Sequence, residues 1–114
     1  MPHLENIYIE NQYDNIFHEH VGFHSLKSII DLSIQNDLRV FDVEKIDSQG
    51  GSIRCYISKK NSNFKESINV KRLLHKEKKI GLFNLKSWFN FSNKVNKHSH
   101  KLHNYLKKIK KDKN

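Results

Sequence analysis

Residues Phe17-His18-Glu19-His20, with His24 close behind, are where this chain could do chemistry. Histidine titrates nearest neutral pH, and a carboxylate beside it can orient it and hold its proton. His18 and His20 are therefore both candidate general bases with Glu19 between them, although the residues alone fit hydrogen-bonded loop histidines as well or better. Neighbouring residues on extended backbone point to opposite faces, so Glu19 and His20 need a turn to meet one substrate. His24 sits just before a helix start and reads as structural. His-x-His spacing can chelate a metal, but no fourth ligand accompanies His18, His20 and His24, so the expectation is no metal site. His100 and His103 share a face of a later helix and offer only adventitious metal binding.

Pro2 suits the first turn of a short helix to about Asn11, with Leu4, Ile7 and Tyr8 on one face. From Gln12 to Gly22 no period is sustained, which predicts a loop carrying the His/Glu cluster. Ser25 is a candidate N-cap for a helix through Leu26, Ile29, Ile30 and Ile34, ended by Asn36-Asp37. Strands are expected at Leu38–Ile46 and Ser52–Ser58. The turn between them contains Gly50-Gly51, and the short connection favours an antiparallel hairpin. Lys59 to Phe64 is polar and reads as an internal boundary. Helices follow over Val70–Ile80, closed by Gly81, and over Leu85 to about Lys111. In the last, Leu85, Trp88, Val95, Leu102, Leu106 and Ile109 form an apolar stripe that reads as a packing face.

The chain has 114 residues, enough for one small domain, and its single cysteine, Cys55, excludes an intrachain disulfide and a four-cysteine zinc site. That cysteine usage fits a cytoplasmic protein. No apolar run is long enough to span a membrane. The net charge of +9 divides unevenly, with −6 over residues 1–49 and +15 over residues 50–114. Eight lysines between Lys94 and Lys113 could attract nucleic acid non-specifically. Yet 18 of the 21 basic residues are Lys and only 3 are Arg, the residue that grips phosphate and reads guanine. A biased coding composition is the simpler source of the lysines. A small basic protein binding nucleic acid or an acidic partner stands as the alternative function, and a functionless gene remnant as a third.

Four blocks in order carry a resemblance: Tyr13-Asp14-Asn15-Ile16-Phe17-His18-Glu19-His20, Phe23-His24-Ser25-Leu26, Val40-Phe41-Asp42-Val43-Glu44 and Gly50-Gly51-Ser52-Ile53-Arg54. Over about residues 2–60 the chain resembles the deoxysugar C-methyltransferases, which use S-adenosylmethionine to methylate a ring carbon of a nucleotide-linked keto sugar. The resemblance implies an α/β fold (α+β as an isolated piece). It would be the C-terminal third of a Rossmann-like methyltransferase core ending in an antiparallel hairpin, then two helices. It implies three regions: a partial core over 1–60, a polar connection over 61–69 and a basic helical linker over 70–114 leading toward a further domain.

By the same resemblance His20 is the base and Glu19 its partner, with Phe17, Gly50 and Gly51 on the substrate side. The family usually places a tyrosine where Phe17 stands, so His18 or another group must replace its hydroxyl. The family's glycine-rich cofactor loop and zinc-binding region have no counterpart here: none of the four glycines forms Gly-x-Gly. The expectation is a partial enzyme, inactive alone, that does not bind S-adenosylmethionine tightly. A separately encoded N-terminal piece could complete it, and the hairpin, short of neighbouring strands, could self-associate.

Overall fold

The computed structural model describes residues 1–113; Asn114, the last residue of the expected helical region, lies outside the described residues. In order come α1 (Leu4–Glu10), a 3₁₀ turn (Tyr13–Asn15), α2 (Leu26–Gln35), β1 (Leu38–Ile46), β2 (Ser52–Lys59), α3 (Ile68–Lys79) and α4 (Leu85–Lys113). This is the mixed α/β content expected: a two-stranded antiparallel hairpin followed by two helices, the last long. No helix among the described residues is long and apolar enough to cross a membrane.

Two compact units are present, residues 1–83 and 84–114. The first runs through the polar connection 61–69 and takes in α3. That connection is tied to β1: the Arg39 guanidinium donates to the carbonyls of Ser62 and Phe64, Ser67 N donates to Phe41 O at 2.7 Å, and Phe64 stacks on Phe41 with ring centroids 4.6 Å apart. In the second unit α4 is a single helix in which Trp88 meets Phe91 edge-on, and Leu85, Leu102 and Leu106 of its apolar stripe are exposed.

The core of the first unit is Leu26 and Ile29 of α2, Val40, Val43 and Ile53 of the hairpin, and Val70 and Leu73 of α3. Val40 and Val43 are three apart, which strict alternation would place on opposite faces. A β-bulge between Val40 and Asp42 inserts one extra residue and brings both inward. The same bulge turns Phe41 toward Tyr56 and Phe64. On β2, Ile53 is 1% exposed but Ile57, which alternation places on the same face, is 44% exposed.

Helix α2 starts at a point of dense polar contact. Ser25 Oγ accepts from Ser28 N as the sequence predicts. The two preceding helix amides, Leu26 N and Lys27 N, donate to the carboxylate of Glu77 on α3, at 2.6 and 3.2 Å. Ile29 N makes the first intrahelical bond, to Ser25 O, so the amides of the first three helical residues, which have no partner within the helix, are all satisfied. Glu77 is fully buried and also accepts from His3 Nε2 at 2.7 Å. Beside it, buried Glu5 accepts from Lys76 and Lys45 at 2.6 and 2.8 Å. Burial pushes the Glu5 carboxyl upward, but these hydrogen bonds, with attraction to Lys45 and His3, outweigh it and hold it below the usual range.

Two outcomes follow. Glu77→Ala leaves His3 and two amides without a buried acceptor, and is expected to cost about 3 kcal/mol or more in urea unfolding. For Glu5, the unfolded chain takes up its proton near the ordinary value of about 4.3, before the folded state does. Its contribution to stability is thus complete above that pH and lost as pH falls below it. Urea midpoints measured from about pH 6 to about pH 3 should decline, and Glu5→Gln should start lower and decline less steeply.

Candidate active-site loop

Residues 16–25 carry the histidines on irregular backbone. His20 N donates to Phe17 O at 2.9 Å, closing a turn with His18 and Glu19 at its tip. His18 and Glu19 are 89% and 74% exposed, with Nε2 and Oε1 3.9 Å apart, so their attraction is weak in water.

His20 is held more firmly. Its Nδ1 lies 3.0 Å from the Asn15 carbonyl oxygen, which can only accept. Nδ1 therefore carries the hydrogen, and in the neutral ring the lone pair is on Nε2. The imidazole contacts two aromatic rings, Phe17 tilted at 35° with centroids 4.1 Å apart and Phe23 edge-on at 5.8 Å. Phe17 thus holds the His20 ring by packing. The group on His20 is the Asn15 carbonyl, while the Glu19 carboxylate faces His18. His24 contacts Ser28 Oγ at 3.4 Å in the first turn of α2. Among the described residues, no group of three His, Cys, Asp or Glu is placed to hold a metal.

The Gly50-Gly51 turn lies against the segment that leads into this loop. Gly50 O accepts from Asn6 Nδ2 and Gln12 Nε2, each at 3.1 Å, and Gln49 O accepts from Asn15 Nδ2 at 3.3 Å. Asn15 therefore grips the turn with its side chain and His20 with its carbonyl. Asn6, Gln12 and Asn15 were not singled out from sequence. The run Asn11-Gln12 to Asn15, rich in amides just ahead of the histidines, is the only signal that could have done so. Cys55 is half-buried, and burial pushes its thiol above the usual range, away from the reactive thiolate.

Neither glycine opens room for a nucleotide. Gly50 and Gly51 have φ of 78° and 112°, and the space a Cβ would take is already filled by the Gln12 and Asn6 amides. Gly51→Ala must displace Asn6 and adopt a disfavoured φ, so a loss of about 1–3 kcal/mol is expected in urea unfolding. The His20 imidazole NMR signals should shift with it, because the displaced turn pulls on Asn15.

A family model described as the C-methyltransferase C-terminal domain matches residues 47–114, which hold β2, α3 and α4. C-methyltransferase NovU of Streptomyces niveus is 34% identical over 82 residues, covering 72% of this chain and 20% of that protein. The chain thus spans about a fifth of the length of this relative. The chain belongs to the C-methyltransferase family, as part of its C-terminal region.

Proposed function

We propose that this chain supplies the proton-transfer loop of a C-methyltransferase acting on a carbon beside the keto group of a nucleotide-linked sugar. The observation that carries the reading is the Asn15 carbonyl on His20 Nδ1, which leaves the opposite ring nitrogen as the base. Carbon alkylation next to a carbonyl needs such a base. His20 Nε2 takes the α-proton, the electron pair of the C–H bond moves into the enolate, and charge collects on the former carbonyl oxygen. Phe17 and Phe23 hold the imidazole in place. His18, exposed on the same turn, offers an N–H to the enolate oxygen in place of the tyrosine hydroxyl usual at Phe17. Glu19, next to it, receives the proton onward toward solvent. Gly50-Gly51, joined to the loop through Asn15, lies on the substrate side.

S-adenosylmethionine supplies the methyl group in such enzymes. Its site is assigned to another part of the enzyme, because the turn glycines here are filled by amides. The chain alone is therefore a proton-transfer piece, inactive until joined by the part that holds the methyl donor.

Two measurements test this. Isothermal titration of the chain with S-adenosylmethionine should show no micromolar binding; clear binding refutes the division of labour. With the complementary part present and the methyl donor withheld, a nucleotide-linked keto sugar in heavy water should exchange its α-hydrogen. His20→Gln should slow that exchange by about 10²–10⁴-fold and Glu19→Gln by less. Equal exchange by His20→Gln would remove His20 from the role.

A further inference from the structure

Between β1 and α3 lies a cleft of about 350 Å³ with three cations on its walls. Lys45 comes from the strand, and Arg72 and Lys76 come from the helix. Asn69, Arg72, Leu73 and Lys76 recur at helical spacing, so a single face of α3 makes one wall. Val43 and Leu73, both buried in the core, form an apolar floor. No residue of the histidine loop takes part.

Lysines are common in this chain, and on a surface they are usually solvated. Two observations set this cluster apart. Lys45 and Lys76 are fixed, because both ammoniums bond to one oxygen, Glu5 Oε1, at 2.8 and 2.6 Å. Glu5 is buried, so the pair is anchored from beneath. Each ammonium carries three N–H donors, and this contact uses one of them. Two positive charges over one carboxylate leave an excess. The hydrogen bond to Glu5 also pushes the Lys76 ammonium above its usual range, so it stays charged.

The second observation is Arg72. Of the three arginines, Arg39 donates to the Ser62 and Phe64 carbonyls and Arg54 bonds to Glu44. Arg72 makes no hydrogen bond or ion pair among the described residues. The carboxylates around the cleft are already engaged. Glu5 holds the two lysines, Glu44 pairs with Arg54 at 2.5 Å, and Asp42 accepts from Val43 N and Asn69 Nδ2. The cleft therefore has cationic donors in excess of the acceptors that could satisfy them.

A guanidinium forks onto two oxygens of one group, and ammoniums act beside it as point charges. A carboxylate has two oxygens and one charge, which Arg72 alone would satisfy. A phosphate dianion has at least three free oxygens and two charges, which suits one fork and two ammoniums. We propose that the cleft between β1 and α3 binds a phosphate dianion, with Arg72 as the fork and Lys45 and Lys76 as fixed point charges. Glu5 is a positioning residue there: it holds both lysines and does not touch the anion. The phosphate is either free or carried as an ester. About 350 Å³ is room for more than a bare ion, at the small end of ligand clefts, and Val43 and Leu73 lie where the organic part of an ester would rest. The proposal does not depend on the proton-transfer reading.

The test is NMR titration of the full chain with inorganic phosphate, at mildly alkaline pH and about 0.15 M sodium chloride. One saturable site that shifts the Arg72 guanidinium and Asn69 amide signals is the expected result. Arg72→Gln should weaken binding about tenfold or more. Arg72→Lys, which keeps the charge and loses the fork, should weaken it less. Arg72 is exposed, so both variants should keep the urea midpoint of the parent chain. Lys101→Gln on α4 should leave the affinity unchanged. Phenyl phosphate separates the two sources. Binding tighter than inorganic phosphate by about threefold or more assigns the cleft to an ester, and equal binding assigns it to the free ion. Failure of both anions to saturate a site overturns the proposal. So does an affinity that Arg72→Gln leaves unchanged, or binding spread over the α4 lysines, which marks only the diffuse attraction of a basic chain.

Discussion

The buried carboxylate of Glu77 is the contact on which the first compact unit depends. It is fully enclosed, and it joins three stretches far apart in sequence: α3, which carries it, the first turn of α2, and His3 near the N-terminus. A buried carboxylate is costly unless hydrogen bonds surround it. Here the helix start supplies two amides and the positive end of its dipole, and His3 supplies a third donor. The aliphatic core beneath is small, so this polar junction selects which face of α3 meets α2 as much as Leu73 and Val70 do. It also anchors residues 1–3 against β2, which keeps the register of that stub.

The junction reaches the candidate site by a short route. Anchoring His3 places α1, and α1 presents Asn6 to the glycine turn. The turn in turn receives Gln12 and Asn15, and Asn15 sets the tautomer of His20. A histidine on an irregular loop would otherwise sample many orientations. Here backbone and amide groups hold the His20 ring without a carboxylate partner, while the loop tip, His18 and Glu19, is exposed to solvent.

Most elements were legible because each rests on local chemistry. Ser25 caps its helix, Asn36 ends it, and both strands fall where alternation and the glycine turn put them. The interior of the hairpin was less legible. A one-residue bulge cannot be seen in a stretch such as Leu38–Val43, where Val40 and Phe41 are both apolar, yet it decides that Val40 enters the core and Phe41 does not. The site divides the same way. His18, Glu19, His20 and the glycines stood out by type and spacing. Asn6, Gln12 and Asn15 did not, since amides are common in loops and only the fold brings them to one turn. His3, Glu5 and Glu77 were silent for a like reason: their partners lie about 40 to 74 residues away.

Two strands alone are marginal in water, and helices on one face do not close their edges. The β1 edge is blunted by the bulge, by Ser67 N on the Phe41 carbonyl and by Asp42 Oδ1 on Val43 N. At the start of β2, His3 N bonds to Gly51 O and Ile53 N to Met1 O. Local contacts thus stand in for neighbouring strands over part of each edge, and His3, which Glu77 holds, makes one of them.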